Sequence, residues 1–124
     1  MQGLTLVGLD LTEIDLRYSN LSRCDIFECT LNSADLSNAS LQNALLQEVT
    51  LSNANLREAN LEEANLGSTV TNKENSTYRG NIVKSSKFVD LTYADLTLAN
   101  LQNARLQYAN LQHVNFTNAN LNTA

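Results

Sequence analysis

Two cysteines, Cys24 and Cys29, a single histidine, His113, and thirteen carboxylates are the side chains best suited to chemistry in this chain of 124 residues. Two thiols so close in sequence offer a disulfide or half of a metal site. A metal would need further ligands, and His113 is far along the chain from both. There is no Ser-His-Asp set, no phosphate-cradling glycine loop and no clustered basic-aromatic stretch. The expectation is therefore a protein that is not an enzyme, with no catalytic residue, no metal and no cofactor.

The elements that hold these residues follow from a repeat. A leucine or near equivalent recurs at every fifth position: Leu6, Leu11, Leu16, Leu21, Ile26, Leu31, Leu36, Leu41, Leu46, Leu51, Leu56, Leu61 and Leu66. The pattern breaks and resumes at Leu91, Leu96, Leu101, Leu106, Leu111, Phe116 and Leu121. Two positions before each centre stands a small or branched residue, most often Ala, as at Ala34, Ala39, Ala44, Ala54 and Ala94. Between them stands Asp or Asn, as at Asn55, Asn60 and Asp95.

A period of five suits neither common element. On a helix one such step rotates about 500°, so the leucines would spiral around the axis. On a flat strand, steps of five alternate between the two faces. A chain that bends by about a right angle at every step buries them all. Four such units close one coil, and the alternation of large and small inward residues fills a narrow square core.

This A-(D/N)-L-x-x pattern resembles the pentapeptide-repeat family over everything except residues from about 67 to 88. The resemblance implies an all-β fold, a right-handed quadrilateral β-helix of about five coils, stacked at about 4.8 Å into a rod of about 24 Å. The repeats are placed at about 4–68 and 89–124, forming a single domain. The chain looks similar to the short cyanobacterial members, most of which have no assigned activity.

Between Leu66 and Leu91 the chain inserts a segment as long as one whole coil. Kept in register, that segment would bury Glu74, Arg79 and Lys84 in a Leu/Ala core. Each would cost several kcal/mol unpaired. A protruding structureless loop at about 69–88, with a local charge of +3, is the expectation. It is expected to fold over the C-terminal end of the rod, or else two molecules meet there, giving a monomer or an end-to-end homodimer. At the other end, Leu4, Leu9 and Ile14 replace Ala and are expected to fill the terminal coil.

Placed on the square, Cys24 and Cys29 are inward fillers on adjacent sides, not a disulfide. Asp15 and Asp35 stack one coil apart, and mutual repulsion is expected to raise their pKa values. Two outward surfaces stand apart from the Asn, Gln, Ser, Thr and Glu elsewhere. One is Val7, Phe27 and Leu45 on the Ile26 side. The other is the insertion, with Tyr78, Arg79 and Lys84, together with Tyr93, Leu98, Tyr108 and His113, where Tyr93 should stack near His113.

These surfaces point to a protein-binding scaffold whose partner is another protein of unknown identity. A regulatory partner is plausible by resemblance, since one similar member regulates heterocyst differentiation. The alternative is DNA mimicry, as in family members that act on DNA gyrase. A rod of duplex charge about 24 Å long would carry about 14 negative charges. The repeats hold twelve acids spread over four sides and offset by Arg17, Arg23, Arg57 and Arg105. The net charge of −5 argues against direct nucleic-acid binding. No apolar run approaches the roughly 20 residues needed to span a bilayer, and no leader is evident, so a soluble cytoplasmic protein away from membranes is expected.

Overall fold

At most centres the preceding residue is Asp or Asn, and its side chain supplies a bond that helps bend the chain. In the unit centred on Leu36, Asp35 Oδ1 accepts the Ser37 backbone N–H at 3.0 Å and the Ser37 hydroxyl at 2.7 Å. The Ala39 N–H then donates to the Leu36 carbonyl at 3.0 Å, closing the turn. The same side-chain bond recurs from Thr12 to Asp10, Glu62 to Asn60, Thr97 to Asp95 and Asn122 to Asn120. Short Asx side chains reach the backbone two positions on, whereas longer acceptors do not. That is why Asp and Asn hold this position.

Among the described residues, the second residue after each centre has a positive φ. Eighteen non-glycine residues do so, between 53° and 64°, together with Gly3 and Gly8. A left-handed third residue inside a closed four-residue turn is the type II pattern. The left-handed residue therefore recurs from repeat to repeat among the described residues, whatever side chain stands there.

In this computed structural model, residues 1–67 and 88–124 are described in full and the backbone alone at 76–78 and 81–83. The bends bring every twentieth residue into parallel register: Asp10 pairs with Thr30, and Thr30 with Thr50. Thr50 then pairs with Asp90, and Asp90 with Asn110, so the ladder skips the insertion without losing phase. Each unit ties to the next coil through repeated bonds: Leu36 N–H to Asn55 C=O at 2.8 Å, Asn38 N–H to Arg57 C=O at 2.9 Å, and Asn55 N–H back to Ala34 C=O at 2.9 Å. On one side the units are extended enough to be strands, β1 (Thr5–Val7), β2 (Asp25–Phe27) and β3 (Leu45–Gln47), a parallel sheet in that order. The architecture is a β-helix of stacked coils, and no helix occurs among the described residues.

The interior is the column of centres. From Leu21 to Leu101 each described centre is at most 2% exposed. Ala34, Ala59, Ala64 and Ala99 beside them are fully enclosed. Burying such a leucine contributes about 1.5–3 kcal/mol, and an Ala next to it leaves room for the following centre. Cys24 and Cys29 are free thiols in this wall, donating to the carbonyls of Met1 at 2.9 Å and Phe27 at 3.3 Å.

Two expectations change. The insertion is not structureless: β4 (Ser76–Tyr78) pairs antiparallel with β5 (Asn81–Val83), in register Tyr78 with Asn81. The N-terminal coil is not filled, since Leu4 is 47% and Leu9 42% exposed, and Ile14 only half-buried. A side chain in an end coil has a neighbour on one side only. An apolar hollow of about 210 Å³ is lined by Met1, Leu6, Leu9 and Leu11 at this end and by the leucine column as far as Leu61.

Candidate functional site

The left-handed corner residues are the most outward positions of the coil, and most carry Asn, Glu or Ser. A left-handed conformation costs an ordinary L-residue about 1–2 kcal/mol, and Gly and Asn least. Tyr93, Leu98, Tyr108 and His113 occupy four of these corners, at φ 59°, 61°, 64° and 58°. Tyr93, Leu98 and Tyr108 stay about half or more exposed, so burial returns little for the strain.

Register then pairs them. Tyr93 lies one coil before His113, and their rings stack at 4.6 Å between centroids, 9° from parallel, as the sequence led us to expect. Tyr108 lies one coil after Phe88, and those rings meet at 6.3 Å and 32°. Phe88 is exposed and joins the same surface. Sequence reasoning missed it as part of this site; its register with Tyr108 is the signal that could have found it. Leu98 sits at the next corner along the same coil as Tyr93.

Between the two aromatic corners runs one side of the coil, with Asp90 and Thr92 above Asn110 and Gln112. Asp90 Oδ1 accepts both the backbone N–H of Thr92, at 2.9 Å, and its hydroxyl. The other oxygen of Asp90 has no partner among the described residues. On the adjoining side, Asp95 is bridged by Arg57 at 3.3 Å. Burial pushes the Asp95 carboxyl up, but hydrogen bonds from Thr97 and Arg57 outweigh it and leave it below the usual range.

The Asp15 and Asp35 expectation is reversed. The two are register partners, yet both are shifted down. The Arg17 side chain holds Asp15 down to about 2, bonding it at 2.8 Å. The hydroxyl and backbone of Ser37, with Arg17 nearby, lower Asp35. Hydrogen bonds to the charged form and a shared cation outweigh the repulsion across one coil spacing.

The second surface is less compact. Val7 and Phe27 are direct register partners, but Leu45 pairs with Asp25 and sits one column away; all three are half-buried. Of the candidates on the insertion, Tyr78 closes β4, while Arg79 and Lys84 lie outside the described residues. Gly67, where the chain leaves the coil, is buried against Gln107: a Cβ there would stand 2.9 Å from Gln107 Oε1 and 3.3 Å from its backbone N and O. Among the described residues no cluster of three or more His, Cys, Asp or Glu could hold a metal, and no helix is long and apolar enough to cross a membrane.

Comparison with known proteins follows the same geometry. A pentapeptide repeat protein from the cyanobacterium Cyanothece 51142 is 25% identical, with a TM-score of 0.76, covering 95% of this chain and 80% of its own. A pentapeptide repeat protein of the Arabidopsis thaliana thylakoid lumen is 24% identical, with a TM-score of 0.61, covering 95% of this chain and 65% of its own. Among proteins of curated function the sequence finds no match. Pentapeptide repeats, in eight copies, match residues 1–32, 34–70 and 87–122. With its recurring turns, coil-to-coil register and leucine column accounted for by that match, the chain belongs to the pentapeptide repeat family.

Proposed function

We propose that this protein is a non-enzymatic scaffold of five coils that docks a protein partner, using the aromatic corners beside the protruding 69–88 segment. One observation carries the reading: Tyr93 and Tyr108 hold left-handed corner positions while 57% and 64% exposed. Bulky side chains kept at strained, solvent-facing positions are a mark of function over stability. Exposed Tyr is also a residue type that interfaces favour. The Val7, Phe27 and Leu45 patch is a weaker candidate, being half-buried and split across two columns.

Affinity capture from the native cell tests this. Tyr93→Asn with Tyr108→Asn keeps residues that tolerate the corner and removes both rings. The partner recovered by the native chain should be lost with this pair and kept with Glu62→Gln on another side. Equal recovery would end the proposal. DNA gyrase supercoiling separates the alternative, DNA mimicry: strong inhibition or protection would favour it. The acids argue the other way, because Asp15 and Asp95 are already neutralised by Arg17 and Arg57.

A further inference from the structure

We propose that the strip between the two aromatic corners receives an arginine side chain from a basic, extended segment of the partner, its guanidinium stacked on a ring and paired with Asp90. This rests on the docking reading above and names the chemistry of what docks. Phe88 at one edge, Asp90 and Thr92 on the side between, and Tyr93 at the next corner all keep their side chains off the core, where Val89 and Leu91 are buried. In the coil beneath, Tyr108, Asn110 and Gln112 repeat the arrangement in register. Tyr93 on His113 closes the far edge.

Three features select arginine. An aromatic face attracts a planar cation, and a guanidinium can stack while its edge donates to a carboxylate. A lysine ammonium is compact and strongly hydrated, and does not satisfy both. Asp90 is the carboxylate between the rings, and Thr92 occupies only one of its oxygens. The neighbouring Asp95 already has Arg57. Charge complementarity sets the sign of the partner: Asp90 is the one formally charged side chain among residues 88–93 and 108–113, and the chain as a whole carries −5. Asn110, directly below Asp90, offers an amide to a peptide backbone crossing the strip.

The probe is the tripeptide acetyl-Arg-Ala-Arg-amide, titrated into the full ¹⁵N-labelled chain and followed by amide chemical shifts. Shifts should concentrate at 88–93 and 108–113. Asp90→Asn should weaken the peptide about fivefold, the size of one partly exposed ion pair, and it keeps the fold because Asn fills the same position at Asn55 and Asn60. Replacing each arginine of the peptide by neutral citrulline should give a similar loss, and lysine an intermediate one. Glu62→Gln should change nothing. Shifts spread over all acidic sides, equal affinity for lysine and arginine peptides, or unchanged binding by Asp90→Asn would each overturn the assignment. So would concentration-dependent shifts at the strip without peptide, which would make the occupant a second copy. The two readings fail separately. Partner capture lost with the tyrosine pair but kept with Asp90→Asn sinks the arginine and spares the docking face. Capture that survives loss of both tyrosines sinks the face.

Discussion

Replacing Tyr18 by glycine should make the protein more stable, against the usual direction for a surface substitution. Tyr18 sits at a corner with φ 58° and is 76% exposed. Holding an L-residue in the left-handed region costs about 1–2 kcal/mol. Glycine removes that strain but brings about 0.5–1 kcal/mol of extra unfolded-state freedom. With three-quarters of the ring in water, little packing is lost. The balance is a gain of about 0.5–1 kcal/mol. The control is Gln102→Gly, next after the Leu101 centre, exposed and without a positive φ. There the entropy acts alone, so the substitution should cost about 0.5–1 kcal/mol. Urea unfolding followed by far-UV circular dichroism measures both, and unchanged slopes would certify that only stability moved. The sign is the test. If Tyr18→Gly destabilises as much as Gln102→Gly, the corner is not left-handed or its ring is packed, and the argument that exposed aromatics at corners are strained falls with it.

Core position should govern the cost of a leucine. Leu56, fully enclosed in the column, should lose about 3 kcal/mol on truncation to Ala, whereas Leu121, 43% exposed at the end, should lose about 1 kcal/mol, both by urea unfolding. Acid should destabilise in one direction only. Asp10, Asp15, Asp35 and Asp95 all have depressed folded-state pKa values, Asp15 about 2. Their contribution is complete above the unfolded carboxylate value of about 4 and is lost as pH falls toward about 2. Melting temperature should therefore hold from about pH 7 to about pH 5 and drop below about pH 4; a rise on acidification between those last two values would mean that Asp15–Asp35 repulsion dominates after all. Gly67→Val should cost about 1–3 kcal/mol by overpacking. Gln107→Ala should recover only part of it, because the backbone of Gln107 stands as close as 3.3 Å to the new Cβ position; full recovery would show that only the side chain is in the way.

The interior is legible because burial leaves a period. Every centre from Leu21 to Leu101 that the sequence points to is enclosed, and Ala at the small positions is explained by the space between consecutive leucines. The Tyr93–His113 stack is legible for the same reason, since the register from coil to coil is arithmetic once the period is known. Other features leave no such trace. The left-handed corner holds Glu13, Arg23, Ser33 and Leu98 as well as Asn38, so no glycine enrichment announces it; the corner recurs with coil-to-coil stacking, and with the Asx bond where Asp or Asn precedes the centre. The pKa directions of Asp15 and Asp35 run against expectation because the distance between two charges says nothing of the donors around each one. The hairpin of β4 and β5 escapes a reading based on the repeat, although Thr77, Tyr78, Ile82 and Val83 are strong strand formers around a glycine. Core burial could not report it, because it lies outside the period.

The same division says where specificity has to reside. The centre and the small position are fixed by volume, and the Asx position by its turn bond. The corner residue is constrained in backbone and almost free in side chain. Corners line up along the rod, so each forms a row whose composition can be read directly. One row runs Gly8, Glu28, Glu48 and then, past the insertion, Tyr108, with the Phe88 ring against it from one coil before. The next runs Glu13, Ser33, Asn53 and then Tyr93 and His113. In both rows the change from polar to aromatic falls where the chain leaves and rejoins the solenoid. Ring-on-ring contact joins residues within each row, yet Tyr93 and Tyr108 remain mostly in water, so packing alone gives little reason for that coincidence. The proposed partner, contacting both the inserted segment and its flanking corners, would.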